Sequence, residues 1–147
     1  MSLFYTRNEL SVAIVAPIDG EVLSYEEAFD KMCGKDGLII RPFSDILRAP
    51  LSGSVTNINP KQNSYTLCGA NGEKVIVEID SPCPVITCNI KIGKKITMGE
   101  QLCHIKTTTD CTPIIQITLE NSNEFRWITV FEGKCRSTET EIMSFCK

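Results

Sequence analysis

The chain has 147 residues, of which 42% are hydrophobic and 22% are charged. This balance is typical of one folded domain with a hydrophobic core, and it excludes a disordered chain. The net charge of -3 at pH 7 lacks the basic excess typical of nucleic-acid binding. We therefore expect a single domain over residues 1–147 and no nucleic-acid partner.

The amino-terminal residues, 1–9, show no apolar signal core and no cleavage pattern. No apolar run along the chain approaches the roughly 20 residues that a membrane-spanning helix needs. The sequence therefore predicts a cytoplasmic protein without direct membrane insertion.

Short strands dominate the predicted secondary structure. They are rich in Val, Ile, Thr and aromatic residues and are bounded by Gly, Pro, Asn or Asp. In chain order, the clearest are Val12–Val15, Leu38–Arg41, Val75–Ile79, Ile114–Leu119 and Phe125–Phe131. One short helix among about ten strands predicts an all-β sandwich or barrel.

The predicted helix covers Tyr25 to Met32, where Glu, Ala, Lys and Met favour helix formation. Ser24 is a suitable N-cap, and Gly34 is a suitable stop after the last turn.

A strand–turn motif occurs twice, as Ala16–Val22 (APIDGEV) and as Ala49–Val55 (APLSGSV). In each copy Pro fixes the entry to a turn, and Gly permits the reversal before the next strand. A looser third unit covers Gly93–Glu100. The repetition predicts two related sheets that close on each other.

A glycine-rich turn, Gly69–Gly72, joins two strand-like segments, Asn63–Cys68 and Glu73–Ile79, and predicts a hairpin. If Cys68 pairs with Glu73, the antiparallel register places Asn63 opposite Glu78. A tighter two-residue turn would instead place Tyr65 opposite Glu78.

Eight cysteines are present, at positions 33, 68, 83, 88, 103, 111, 135 and 146. Without a secretory signal, most are expected to be reduced, buried apolar residues rather than disulfides. No C-x-x-C pair exists, and the Cys83-x4-Cys88 spacing is a weak metal signal. We therefore expect neither a metal site nor a cofactor.

Several ordered motifs resemble the glucose-specific enzyme IIA family of the bacterial sugar phosphotransferase system. They are Lys31–Gly37, Ala49–Val55, Asn71-Gly72, Gly93–Gly99 and Thr112–Ile115. The resemblance runs from about Val12 to the carboxyl end. It implies a flattened β-sandwich, or barrel-sandwich hybrid, with a duplicated motif.

In that family, the phosphocarrier HPr passes a phosphoryl group to a histidine, which passes it to a membrane sugar transporter. A second histidine beside the acceptor steadies the phosphoryl group. The resemblance places the acceptor on Glu78 and the helper on Asn63, and neither residue is histidine. The single histidine, His104, lies outside the hairpin and is expected to be structural or on the surface. The segment Asp80–Asn89 is about four residues shorter than the family's loop.

The leading hypothesis is an enzyme IIA-like component of carbohydrate uptake that acts by protein binding and carries no phosphoryl group. Its implied partners are HPr-like phosphocarriers or membrane sugar transporter domains. The alternative is an active phosphocarrier with Glu78 as acceptor, because a carboxylate can form an acyl phosphate. Whether the chain is an enzyme therefore stays open. Metallopeptidases on similar scaffolds need several His or Asp ligands, which one histidine cannot supply.

Overall fold

A computed structural model describes residues 11–80, 86–105 and 113–146. Short strands occupy most of these ranges, together with one α-helix and a 3-10 turn. The elements are β1 Ser11–Val15, β2 Gly20–Val22, α1 Tyr25–Met32, β3 Gly37–Pro42, β4 Ile46–Arg48, β5 Gly53–Asn59, β6 Ser64–Gly69, β7 Lys74–Asp80, β8 Ile86–Cys88, β9 Lys95–Ile96, β10 Gln101–Ile105, β11 Ile114–Leu119, the 3-10 turn Ser122–Glu124, β12 Arg126–Val130, β13 Gly133–Cys135 and β14 Glu141–Cys146.

In the described part of the chain, three antiparallel sheets enclose the core. The largest has eight strands in the order β13-β2-β3-β11-β7-β6-β5-β9, and two three-stranded sheets have the orders β1-β14-β12 and β4-β10-β8. Strand β7 shows why the sheet has two different faces. Val75, Val77 and Ile79 are buried, whereas the alternating residues Ile76 and Glu78 are only partly buried. The predicted all-β sandwich is confirmed.

The duplicated motif folds into a reciprocal pair of turns. The amide of Val15 donates to the carbonyl of Pro50 at 3.1 Å, and the amide of Arg48 donates to the carbonyl of Pro17 at 2.7 Å. Val15 and Pro17 in the first copy correspond to Arg48 and Pro50 in the second. The two copies therefore exchange equivalent hydrogen bonds, which confirms that they occupy equivalent turns.

The repeated glycines begin strands that lie very close to a neighbour. A Cβ on Gly20 would collide with the carbonyl oxygen of Arg41, and one on Gly53 would collide with that of Cys68. The looser third unit, Gly93–Glu100, is not a third copy of this turn. It contains β9, which pairs with β5 as β13 pairs with β2.

Helix α1 begins and ends as the sequence predicts. The Ser24 side chain accepts a hydrogen bond from the amide of Glu27, and the Glu27 carboxylate reaches back to the amide of Ser24, which completes a capping box. The helix ends at Cys33 in the left-handed region, followed by Gly34 with φ 79°. The helix packs on the outer face of the large sheet through a small apolar cluster of Ala28, Met32 and Ile39.

The cysteine prediction is wrong at one pair. Cys88 on β8 and Cys103 on β10 are directly opposed in the antiparallel register and form a disulfide, with Cα atoms 4.1 Å apart. The prediction considered only the expected compartment and sequence spacing, whereas strand pairing places these two residues together. Cys33, Cys68, Cys135 and Cys146 are free thiols, as expected. Of these four, the expected burial holds only for Cys135, because Cys33 is exposed and Cys68 and Cys146 are partly buried. Cys83 and Cys111 lie outside the described residues.

Candidate functional site

The hairpin of β6 and β7 forms at the predicted place but with a different register. Cys68 faces Lys74 and Ser64 faces Glu78, so neither Asn63 nor Tyr65 is the direct partner of Glu78. The reason is the turn length. The amide of Gly69 donates to the carbonyl of Glu73 at 3.0 Å, which leaves a three-residue loop that ends at Gly72 with φ 85°.

Two side chains that the sequence analysis did not single out hold this turn. Glu73 is only 4% exposed, and its carboxylate accepts a hydrogen bond from the amide of Asn71 at 2.9 Å. Asn121, also buried, accepts from the amide of Lys74 at 2.9 Å and donates to the carbonyl of Gly72 at 2.8 Å. The turn, and with it the hairpin register, is therefore fixed by polar contacts from β11's end as well as by its own residues.

Cross-strand pairing brings three polar residues into one row on the outer face of the large sheet. Ser64 on β6 faces Glu78 on β7, which in turn faces Gln116 on β11. The next position in the row, Ile39 on β3, is fully buried beneath α1. The solvent-accessible part of the row therefore ends at α1, and the helix forms one side of a depression on this sheet face.

This row forms part of a groove of about 330 Å³. Its lining residues come from the end of α1, the β6–β7 hairpin, β11 and the 3-10 turn: Gly34, Lys35, Asp36, Gln62, Ser64, Ile76, Glu78, Gln116, Thr118, Leu119, Glu120 and Ser122. We call it the Glu78 groove. Of the two predicted site residues, Glu78 lies in it.

The Glu78 groove carries an excess of negative charge. Of the described residues, three carboxylates, Asp36, Glu78 and Glu120, line it together with one ammonium group, Lys35. Among the described residues, none of these four charged groups has a hydrogen-bond or ion-pair partner. Unpaired charges in a concave surface are available to a ligand or partner of opposite charge.

Asn63 lies beside the groove rather than in it. It is the last residue before β6 and has φ 48°, a left-handed conformation that asparagine tolerates better than most residues. Its carbonyl accepts a hydrogen bond from the amide of Ile79 at 3.0 Å. Asn63 and Glu78 are therefore close along adjacent strands, but Asn63 is not among the described residues that line the groove.

His104 lies on another sheet. It is an exposed residue of β10 and lines a separate depression with Asp19, Asp45 and Arg48. The prediction that His104 is away from the hairpin is confirmed. The Glu78 groove thus contains no imidazole, since the sequence has no other histidine.

The donor groups of the described residues do not converge on a metal position. Within residues 11–80, 86–105 and 113–146, no three His, Cys, Asp or Glu side chains come close enough together to hold a metal ion. Within the same ranges, no helix has the length and apolar character needed to cross a membrane. The expected absence of a metal or cofactor stays a prediction.

The groove residues missed in the sequence belong mainly to other elements. Gln116 and Glu120 lie on or just after β11, about forty residues from Glu78 along the chain. The polar position of Gln116 within an apolar strand was the available signal, because alternation marks the outward face. Only the pairing of β11 with β7 shows that this face is shared.

Fold and groove together define the class of protein: a duplicated antiparallel β-sandwich domain whose candidate site is an open, charged groove on one sheet face. The sequence model of the family described as "phosphoenolpyruvate-dependent sugar phosphotransferase system, EIIA 1" matches residues 12–124. The chain belongs to this family, which confirms the resemblance found in its motifs.

Individual relatives agree with this assignment. The PTS system glucose-specific EIIA component of Oceanobacillus iheyensis is 25% identical over 143 residues, covering 86% of this chain and 86% of that protein. The solved structure of glucose permease IIA from Mycoplasma capricolum superposes with a TM-score of 0.69 at 17% identity, covering 91% of this chain and 96% of that one. This likeness shows that the two chains share a fold.

Proposed function

We propose that the protein is a cytoplasmic enzyme IIA-like component of a bacterial sugar phosphotransferase system that binds protein partners through the Glu78 groove without carrying a phosphoryl group. The observation that carries the proposal is the chemistry of the groove. By family resemblance, Glu78 stands at the position of the acceptor histidine, and no imidazole lines the groove.

The residues beside Glu78 are weaker nucleophiles than the missing imidazole. Ser64 and Gln116 flank it in the row across the sheet. A serine hydroxyl is a weak nucleophile unless a base activates it, and an amide nitrogen has its lone pair delocalised into the carbonyl. Asn63, at the helper position by resemblance, is an amide as well.

Protein binding fits the shape and charge of the groove. Its three carboxylates and single lysine favour a partner surface that carries Lys or Arg side chains, because complementary potentials speed association and fix orientation. By the family resemblance, the partners are an HPr-like phosphocarrier or a domain of a membrane sugar transporter.

Phosphoryl transfer can be tested directly. The protein is incubated with HPr that carries radiolabelled phosphate on its histidine, and label is measured on the separated chain. We expect no label on the natural sequence. Label that is released by hydroxylamine and absent from Glu78→Gln would instead identify an acyl phosphate on Glu78, and the alternative function would replace the proposal.

Two matched double variants test whether only the histidines are missing. Glu78→His with Asn63→His restores both family positions, whereas Glu78→His with Ser64→His places the second imidazole directly opposite Glu78 in the register. We expect acid-labile label on the Asn63 version. No label on either would show that the docking face for HPr has also diverged.

Binding itself is measured by titration calorimetry with unphosphorylated HPr. Charge reversal at Glu78 and Glu120 to Lys should weaken binding by about tenfold per close charge pair at low salt. Reversal of exposed Glu141, on a strand of another sheet, is the control and should change little. Equal binding by all variants would show that the groove is not the contact surface.

A further inference from the structure

Cys88 and Cys103 form a disulfide between strands of a small sheet rather than between loops. Cys103 is 1% exposed, whereas Cys88 is partly buried and packs against the main core. Each is the direct register partner of the other. Reduction would therefore free two thiols that remain held together by the surrounding strands.

A hydrogen bond joins the pair to the large sheet. Tyr65 on β6 donates a hydrogen bond to Cys88 Sγ at 2.9 Å. Burial raises the pKa of the Tyr65 phenol above its ordinary value of 10.0, so the hydroxyl stays a donor at neutral pH. Tyr65 follows Ser64, the residue that faces Glu78.

A second connection runs along the chain. Strand β7 carries Glu78 and ends at Asp80, and β8 begins at Ile86, so residues 81–85 join the groove strand to the strand of Cys88. The disulfide thus anchors β8, which is linked to the Ser64–Glu78 end of the hairpin both covalently and through Tyr65.

We propose that Cys88 and Cys103 are a reversible redox pair that stabilises the Ser64–Glu78 end of the β6–β7 hairpin when oxidised and loosens it when reduced. The inference does not depend on the identity of the groove's partner. Disulfides in reducing compartments are commonly transient and redox-sensing, which suits the compartment expected for this chain.

Oxidation by glutathione disulfide balances as two exchange steps. The Cys88 thiolate attacks one sulfur of glutathione disulfide, forms a mixed disulfide and releases one glutathione thiolate. The Cys103 thiolate then attacks Cys88 Sγ, forms the protein disulfide and releases the second glutathione thiolate. The two protons that the cysteines lose are taken up by the two released thiolates.

Cys88 is the first nucleophile for two reasons. It is more exposed than Cys103, and the Tyr65 hydroxyl donates a hydrogen bond to its sulfur, which stabilises negative charge on the attacking atom. Tyr65→Phe removes this donor and should therefore slow oxidation about threefold.

The first experiment follows the pair through glutathione buffers of increasing oxidised fraction. Thiols are trapped by alkylation, and the peptides that contain Cys88 and Cys103 are quantified by mass spectrometry. We expect the folded protein to pass reversibly from reduced to oxidised, with slower oxidation in Tyr65→Phe and no change in Cys33→Ser. A pair that stays reduced in fully oxidised glutathione, or resists reduction until the protein unfolds, would overturn the proposal.

The second experiment measures amide hydrogen exchange of the oxidised and reduced protein. On reduction, protection should fall by about tenfold in β8 and at Ile79, whose amide bonds to Asn63, while β1 and β14 stay unchanged. Cys88→Ser should show the reduced pattern in both buffers. Equal exchange at Ile79 in the two states would refute the coupling to the groove.

Discussion

Asn121→Ala tests the support of the β6–β7 turn. The side chain joins the end of β11 to this turn through two hydrogen bonds, from the amide of Lys74 at 2.9 Å and to the carbonyl of Gly72 at 2.8 Å. Alanine leaves the Lys74 amide and the Gly72 carbonyl, both in a partly buried position, without this hydrogen-bond partner. The hairpin that carries Glu78 should therefore lose stability.

The expected loss follows from those two bonds. One intramolecular hydrogen bond contributes about 1 kcal/mol net, and an unsatisfied buried group costs about 1–3 kcal/mol. Water can reach part of this turn, since Gly72 is exposed, so the lower end of the range applies to its carbonyl. We expect the free energy of unfolding to fall by about 2–3 kcal/mol. With a urea m-value of about 2 kcal/mol/M, the midpoint should fall by about 1 M.

Urea unfolding followed by circular dichroism measures the loss. The control is Asn123→Ala, the same substitution two residues away at an exposed position in the 3-10 turn, which should shift stability by less than about 0.5 kcal/mol. An Asn121→Ala midpoint within error of the wild type, or an equal loss in Asn123→Ala, would refute the argument that these two bonds hold the turn.

Three further predictions concern the scaffold. Ser24→Ala removes the capping box of α1 and should lower the free energy of unfolding, measured by thermal unfolding, by about 1 kcal/mol. An unchanged melting temperature would contradict the role of the cap. Gly53→Ala should lower the free energy of unfolding by at least about 2 kcal/mol, because its Cβ would collide with the Cys68 carbonyl. The control, Gly34→Ala, meets open space and incurs only the strain of placing alanine at φ 79°. Equal urea midpoints for the two variants would count against the steric argument. Burial raises the pKa of the Cys135 thiol above 9.0 in the folded chain. As the pH rises past 9.0, the unfolded chain loses a proton that the folded chain keeps. The free energy of unfolding therefore falls with rising pH until the folded-state pKa is passed. Cys135→Ala should lack this part of the decline in urea midpoints measured across that range, and a parallel decline would exclude the thiol as its source.

Local signals in the sequence determined the secondary structure well. Strand β11 has the predicted bounds of Ile114–Leu119, and α1 has those of Tyr25–Met32, because strand alternation, helix propensity and capping depend on residues near in sequence. The duplicated motif could also be recognised in the sequence, since each copy needs its own Pro and Gly at the turn.

The hairpin register required the tertiary structure. The sequence allowed a turn of four or of two residues, and the structure has a loop of three, because Asn121 and Glu73 satisfy the backbone of a turn that ends in left-handed Gly72. Asn121 lies 47 residues from its partner Lys74. A local pattern does not contain this contact, and a shift of one residue is enough to replace Asn63 by Ser64 opposite Glu78.

The sequence by itself determined that a chain with one histidine, outside the hairpin, cannot place two imidazoles on the β6–β7 hairpin. Only the tertiary structure decided what surrounds Glu78. Gln116 and Glu120 reach the groove through the pairing of β11 with β7, and Cys88 meets Cys103 through the pairing of β8 with β10. The physical reason is the same in both cases. Residue identity determines the chemistry that a side chain can perform, whereas non-local strand pairing determines which other side chains lie close enough to take part.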